Sequence, residues 1–288
     1  MPRGHRFPLR KYRLVRELLE GDGVFEFEPA PEASPDTIAL AHDREYVNAF
    51  VDGRVADAAM RRIGFPWSPE LVRRTMASAG GTVAAAHDAL AGGFGGTLAG
   101  GTHHAFRGEG SGFCVFNDIA VAIRALRAEG RIGRAAVVDL DVHQGDGTAA
   151  LFENDGDVLT VSLHSCTNFP FRKQRGTIDM EFADGTGDDE YLAALAGVLP
   201  RVAEFAPEVV FYQSGVDGLA SDRLGKLALT AEGLMRRDAL VYQTIADIPI
   251  VITLGGGYSE SIELTAAAHA NTFRTAAAVY GSTRSFTQ

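Results

Sequence analysis

Ala135-Ala136-Val137-Val138-Asp139-Leu140-Asp141-Val142-His143-Gln144-Gly145-Asp146-Gly147 decides how the rest of the chain is read. Its first half is apolar at successive positions, the pattern of a strand covered by helices on both faces rather than one half open to water. The second half turns abruptly polar. Asp139, Asp141 and His143 alternate, so in extended backbone their side chains project to one side and can converge on a cation. A lone aspartate at a strand end is usually a cap or loop carboxylate. Two buried carboxylates beside an imidazole are costly unless a divalent ion pairs them.

Outward from this segment the same logic repeats. Val158-Leu159-Thr160-Val161-Ser162-Leu163, Val209-Val210-Phe211-Tyr212-Gln213 and Ile250-Val251-Ile252-Thr253-Leu254 are further β-rich runs, apolar on both faces. Helical stretches lie between and around them: Ser68 to Leu90, Asp118 to Glu129, Asp188 to Phe205, Thr230 to Ala246 and Tyr258 to Val279. The alternation predicts an α/β fold, a single domain over 1–288 with a central, mostly parallel sheet flanked by helices. Ligands of such sheets gather where strands end and loops begin. That rule brings Asp139, Asp141 and His143, then Ser162 and His164, Asp217, and Gly255-Gly256-Gly257-Tyr258 to one edge. Gly92 to Gly101 reads either as a loop allowing close backbone approach to a pocket or as a turn between a helix and a short strand.

Composition narrows the class. With 288 residues, 46% of them hydrophobic and 22% charged, the chain can bury a sizeable core. A net charge of −10 argues against a surface that coats nucleic acid. The basic run Arg172-Lys173-Arg175 reads as a solvated loop. Cys114 and Cys166 have no paired spacing and are expected to stay reduced. No segment reaches the roughly 20 apolar residues of a membrane span, so a cytoplasmic protein without direct nucleic-acid contact is expected. Oligomeric state is not legible.

Asp141, His143 and Asp217 suit zinc in an open catalytic site, where water or substrate takes the remaining position. Locally, Asp217 before Gly218 also reads as a turn aspartate; the convergence of the loops favours the ligand. His103-His104 lies between glycine-rich segments, and such a pair can divide the work of general base and electrostatic helper, with Asp139 and Asp146 available to fix the tautomers. Tyr258, after three glycines, can donate a hydrogen bond to a developing oxyanion; a packed tyrosine in a helix-entry loop would look the same.

Together these residues resemble the zinc-dependent histone deacetylase family, which includes bacterial acetylpolyamine and acetoin-utilisation proteins. The ordered motifs run from Gly4-His5-Arg6-Phe7-Pro8 through Gly101-Thr102-His103-His104, Gly112-Phe113-Cys114 and Asp139 to Gly147, then Gly215-Val216-Asp217 and Gly255-Gly256-Gly257-Tyr258. Gln144, Gly187-Asp188-Asp189-Glu190-Tyr191-Leu192 and Ser221-Asp222-Arg223-Leu224-Gly225 look most like the class IV branch and its bacterial relatives.

The resemblance implies a three-layer arginase/deacetylase-like fold with Zn2+ on Asp141, His143 and Asp217, Fe2+ and Co2+ being alternatives. It implies that His104, oriented by Asp146, is the general base, that His103 with Asp139 is its electrostatic partner, and that Tyr258 polarises the carbonyl. Phe113 and Phe169 resemble the walls of an acyl-lysine tunnel, and Gly112 its backbone acceptor region. A structural potassium ion is implied at Asp139, Asp141, His143, Ser162 and Leu163, with a second near Phe152, Asp155 and Val158. The expected substrate is acyl-lysine in protein, acetyl or longer; acylated polyamines and a non-catalytic acyl-amine binding role are the rivals. A two-manganese ureohydrolase would need a second carboxylate-rich loop in place of Ser214 to Asp217. Glycines 100, 101 and 112 leave room for a long acyl chain. Two features of the family are unmatched: a strand ahead of the Gly-His-Arg-Phe segment, and an acidic rim residue that grips the substrate backbone.

Overall fold

The structure, a computed structural model, describes residues 5–282. Five helices precede the first strand: α1 (Arg10–Asp22), α2 (Pro35–Ile38), α3 (Arg44–Val51), α4 (Asp57–Ile63) and α5 (Pro69–Gly92). There follow β1 (Phe94–Gly96), α6 (Asp118–Ala128), β2 (Ala135–Asp139), α7 (Asp146–Phe152), β3 (Val158–Ser165) and β4 (Ile178–Phe182). The chain continues through α8 (Asp188–Phe205), β5 (Val209–Gln213), α9 (Ala231–Thr244), β6 (Ile250–Thr253) and α10 (Ile262–Ser282).

The strands form one six-stranded sheet in the order β1-β6-β5-β2-β3-β4, and every neighbouring pair is parallel. Alternate residues feed opposite cores, as the pleat requires. Ala136 and Val138 join Val161, Tyr212 and Ile252 beneath α1, α8, α9 and α10. Ala135 and Val137 join Val158, Phe211 and Val251 beneath the helices that precede and follow β1. The result is the three-layer α/β sandwich expected from sequence. Helix starts are chemically marked: Ser68 Oγ accepts from Leu71 N at 3.1 Å, Asn117 Oδ1 from Ala120 N at 2.9 Å, and Thr230 Oγ1 from Gly233 N at 2.9 Å. No described helix is long and apolar enough to cross a membrane, and both cysteines are free.

The structure resolves one reading and departs from two others: Gly92–Gly101 joins α5 to a short strand, as its second reading had it. The Gly92–Gly101 stretch contains β1, whose glycines are required by packing: a Cβ on Gly95 would fall 2.1 Å from the Ala85 carbonyl, and one on Gly96 2.5 Å from the Phe273 ring. β4 was not anticipated because Ile178-Asp179-Met180-Glu181-Phe182 alternates apolar and polar, as an edge strand with one wetter face does. The last helix begins at Ile262, not Tyr258. Residues 258–261 stay in the loop because Tyr258 N donates to Asp222 Oδ2 at 2.5 Å, and Ser261 Oγ accepts from Leu264 N at 3.3 Å to open the helix. Among the described residues no strand precedes α1.

Candidate metal centre and acyl-binding cavity

Chain order reverses between β2 and β5: β3 and β4 lie beyond β2 on one side, β6 and β1 beyond β5 on the other. A crevice is expected outside the carboxyl ends of these two strands. There the loop after β2 presents Asp141 and His143, and the loop after β5 presents Asp217. One ligand atom from each lies within 4.8 Å of the others. His143 Nδ1 stands 3.0 Å from both Asp141 Oδ1 and Asp217 Oδ2. Both carboxylates are almost fully buried.

Backbone donors hold the carboxylates in place. Asp141 accepts from His143 N at 3.0 Å and Gly256 N at 2.7 Å, and Asp217 Oδ1 accepts from Val142 N at 2.9 Å. Burial and the neighbouring Asp141 charge push Asp217 up to about 7. Burial disfavours the His143 imidazolium, yet its hydrogen bonds to Asp141 and Asp217 prevail and raise it to about 10. The site therefore draws positive charge to its centre, as a divalent-cation site does, and its N/O donor set fits an open metal centre. Arg237 ties the two loops from below, its Nη1 donating to the carbonyls of Gly215 at 2.6 Å and Leu140 at 3.4 Å.

Each histidine has its own carboxylate partner. His103 Nδ1 is 2.7 Å from Asp139 Oδ2, and His104 Nδ1 is 2.6 Å from Asp146 Oδ1. Burial lowers both, but Asp139 and Asp141 outweigh it at His103 and raise it to about 9. His104, with burial reinforced by the positive charge on His103, falls to about 4. The two imidazoles are thus pushed in opposite directions, His103 toward its cation and His104 toward the neutral form that accepts a proton. The His104 ring meets His143 and Phe169 edge-on, with centroids 6.0 and 4.9 Å away.

These groups line a cavity of about 490 Å³, together with Gly112, Phe113, Phe169 and Tyr258. Gly112 and Phe113 both have left-handed backbone, φ 53° and 66°, and their amides donate to the carbonyls of Arg62 and Ile63. A non-glycine residue held there is strain of the kind found at functional sites. Phe113 packs against Phe7, Phe65 and Tyr258, while Phe169 packs on His104. The Gly112 carbonyl takes the weak Cys114 thiol donor at 3.5 Å. Burial and the Asp217 charge push the Tyr258 phenol well above its usual value, so it is a hydrogen-bond donor at neutral pH.

The room expected from glycines 100 and 101 is a different matter. Both line the cavity, but a Cβ at Gly100 would meet the Asp118 carboxylate at 2.4 Å and one at Gly101 the Gly255 amide at 2.7 Å, so their missing side chains admit these neighbours. Gly112 does face the cavity: its Cβ would fall between His104 and Phe169, 2.7 and 3.1 Å away. The basic run is not simply solvated, since Lys173 Nζ donates to the carbonyls of Asn168 and Pro170. Asp155, suggested for a second potassium ion, already meets Arg124 and Arg127 at 2.9 and 2.7 Å.

Sequence reasoning missed the supporting roles of four residues. Asp222 accepts from the amides of Leu224, Gly225 and Tyr258 and so fixes the tyrosine loop; the Asp-x-x-Gly turn signal was present but pointed only to a loop. Lys11 is fully buried, donates to the Gly255 carbonyl at 2.9 Å and is lowered to about 8 by burial, with Asp217 and Asp141 opposing. Nothing local marks a buried lysine, nor the buried Arg237. Gln144 bonds Gln174 and Asp179, joining the metal loop to β4.

Comparison with known proteins identifies the family and the fold. The family profile described as histone deacetylase domain matches residues 5–274. An uncharacterised protein of Picosynechococcus sp. is 45% identical over 97% of this chain and 95% of its own. A histone deacetylase-like amidohydrolase of Pseudomonas aeruginosa is 31% identical over 90% of this chain and 73% of its own. The crystal structure of the HDA15 HD domain superposes with a TM-score of 0.77 at 25% identity, covering 98% of this chain and 88% of that one.

Proposed function

The chain belongs to the histone deacetylase family of the arginase/deacetylase superfamily, which makes it a hydrolase of the deacylase kind, and on that premise we propose that it is a zinc-dependent acyl-lysine deacylase of class IV character. The observation that carries this reading is the His104–Asp146 pair beside the Asp141, His143 and Asp217 cluster: a module that only bound acyl-amines would need no neutral base there. Zn2+ on those three residues, or Fe2+ or Co2+ with the same donors, supplies a Lewis acid that polarises the acyl carbonyl and acidifies water.

The chain's own residues do the rest. His104 Nε2 takes a proton from the attacking water while Asp146 keeps Nδ1–H in place, and the same nitrogen returns the proton to the departing amine. His103, held cationic by Asp139, offsets the negative charge that develops. Tyr258 donates its phenolic hydrogen to the oxyanion, a contact of the kind worth roughly 3–4 kcal/mol. Phe113 and Phe169 shield a methylene stem from water, and the Gly112 carbonyl is the acceptor for the scissile amide N–H.

Lysine is favoured over polyamine as the amine. Every charged residue lining the cavity apart from Asp141 and Asp217 and the histidines is a cation: Arg62, Arg74, Arg223 and Lys226. Arg62 and Lys226 are paired with Glu109 and Asp184, and Arg74 and Arg223 disfavour a polycationic substrate there. Potassium would draw on Asp139, Asp141, His143, Ser162 and Leu163, where β2 and β3 run in register with Asp139 opposite Ser162. A reducing cytoplasm suits the two free thiols.

The test is turnover by zinc-loaded protein on acetyl-, butyryl- and myristoyl-lysine peptides and on acetylated polyamines. Release of free lysine from a peptide is expected. Turnover of polyamines alone would replace the substrate reading, and no turnover with metal bound would replace the catalytic one.

A further inference from the structure

Beyond the metal ligands the cavity is lined by two sets of residues. One comprises Phe169 and Phe171, the latter 90% exposed, with Arg223 and Lys226. The second, the α5 arm, comprises Arg74, Thr75 and Ser78 of α5 and the loop at Gly100–Thr102.

Arg74 is the unusual group in that second arm. Its guanidinium lies over Phe7, Phe65 and Tyr12, 4.9, 5.5 and 5.6 Å from the ring centroids. Among the described residues no carboxylate pairs with it. By contrast Arg62 meets Glu109 at 2.5 Å and Lys226 meets Asp184 at 3.6 Å. Asp118, on the same side, is already occupied by the hydroxyls of Thr82 and Thr102 and the amides of Gly101 and Thr102. A guanidinium stays charged at any working pH, and ring faces compensate only part of its lost hydration. The Arg74 guanidinium shares a side-chain hydrogen bond with Tyr12, and its remaining N–H donors can match a carboxylate in two parallel hydrogen bonds. Ser78 stands one turn further along α5; its Oγ accepts from Gly100 N at 3.1 Å and keeps its own hydrogen to donate.

We propose that the α5 arm is a carboxylate subsite built on Arg74, and that the chain selects acyl groups ending in a carboxylate, of the succinyl and glutaryl class. This rests on the deacylase reading above. The bond chemistry is unchanged: water adds to the amide carbonyl, the C–N bond breaks, the amine leaves with a proton and the acyl group departs as a dicarboxylate. A wholly hydrocarbon chain in this arm would cover the guanidinium without satisfying it.

The experiment compares kcat/KM for succinyl- and glutaryl-lysine peptides with that for the neutral butyryl and pentanoyl peptides, in wild type, Arg74→Met and Arg74→Lys. A charge-assisted bidentate contact predicts a preference of about 10- to 100-fold for the acidic acyl groups, collapsing in Arg74→Met and partly kept in Arg74→Lys. Calorimetric binding of free glutarate against pentanoate is the second readout, independent of turnover. Tighter glutarate binding that depends on Arg74 supports the subsite even if no peptide is hydrolysed, an outcome that would sink the deacylase reading alone. An unchanged ratio in Arg74→Met, with folding confirmed by its melting curve, overturns the subsite. So does relief of acetate product inhibition in that variant without a change in acyl preference, which would assign Arg74 to the product.

Discussion

Substituting Gly256 by alanine puts the metal centre under the most direct steric load. A Cβ there would lie 1.9 Å from Asp217 Oδ2, 2.6 Å from its Cγ and 2.9 Å from Asp141 Oδ2, whereas real Cβ atoms keep at least 3.0 Å from such neighbours. Gly256 cannot retreat easily, because its amide donates to Asp141 at 2.7 Å and its carbonyl accepts from Val216 N at 2.9 Å. The Asp217 carboxylate must therefore move by about 1 Å, several times the ~0.2 Å tolerance of metal–ligand distances. A loss of zinc affinity of at least about 100-fold is expected, beyond the 10- to 100-fold typical of a lost supporting contact. Competition with a chromophoric chelator measures it directly. Thermal unfolding with and without zinc checks it, since zinc at 100 times Kd adds about 2.7 kcal/mol of stability over the metal-free protein. Gly197→Ala is the control, a helical glycine with nothing within 4 Å of the added methyl. Wild-type zinc affinity in Gly256→Ala would refute the assignment of Asp217 as a ligand.

Tyr258→Phe should lower kcat about 100- to 1,000-fold with little change in KM, and steady-state kinetics with unchanged kcat would remove the oxyanion role. Asp222→Ala frees the Tyr258 amide and two more backbone donors, so kcat should fall at least about 10-fold while zinc affinity holds; a loss of zinc affinity instead would place Asp222 at the metal. His42 gives a pH signature. Burial lowers it to about 4; its Nδ1 faces the Phe106 carbonyl at 2.9 Å, and its Nε2 accepts from the amide of Asn117, the cap of α6. Between pH 6.5 and 4 the unfolded chain binds a proton here that the folded chain refuses, so this stability is full above 6.5 and lost as pH falls through 4. It amounts to on the order of 3 kcal/mol. Urea unfolding of wild type and His42→Asn across that range should show the difference, and parallel curves would contradict it.

The buried parallel strands were legible because β2, β3, β5 and β6 are mostly apolar on both faces and buried at every position, and the topological rule then pointed to the strand ends carrying Asp139, Asp141, Asp217 and Tyr258. β1 and β4 were hidden: one is mostly glycine chosen for close packing, the other alternates as an edge strand. The boundary of α10 turned on a contact from Asp222, distant in sequence. Lys11, Arg74 and Arg237 were illegible for a shared reason. Long cations are ordinarily surface residues, and only the tertiary fold shows one stacked on three rings or bonded to the carbonyls of two metal loops.

The most direct test of the central claim is single: strip the protein with chelator, restore zinc stepwise, and measure carboxylate and free lysine released from an acyl-lysine peptide. Turnover that is absent without metal, and that rises to a plateau at one equivalent, is the predicted result. Full turnover by the stripped protein, or none after zinc has bound at Asp141, His143 and Asp217, would contradict it.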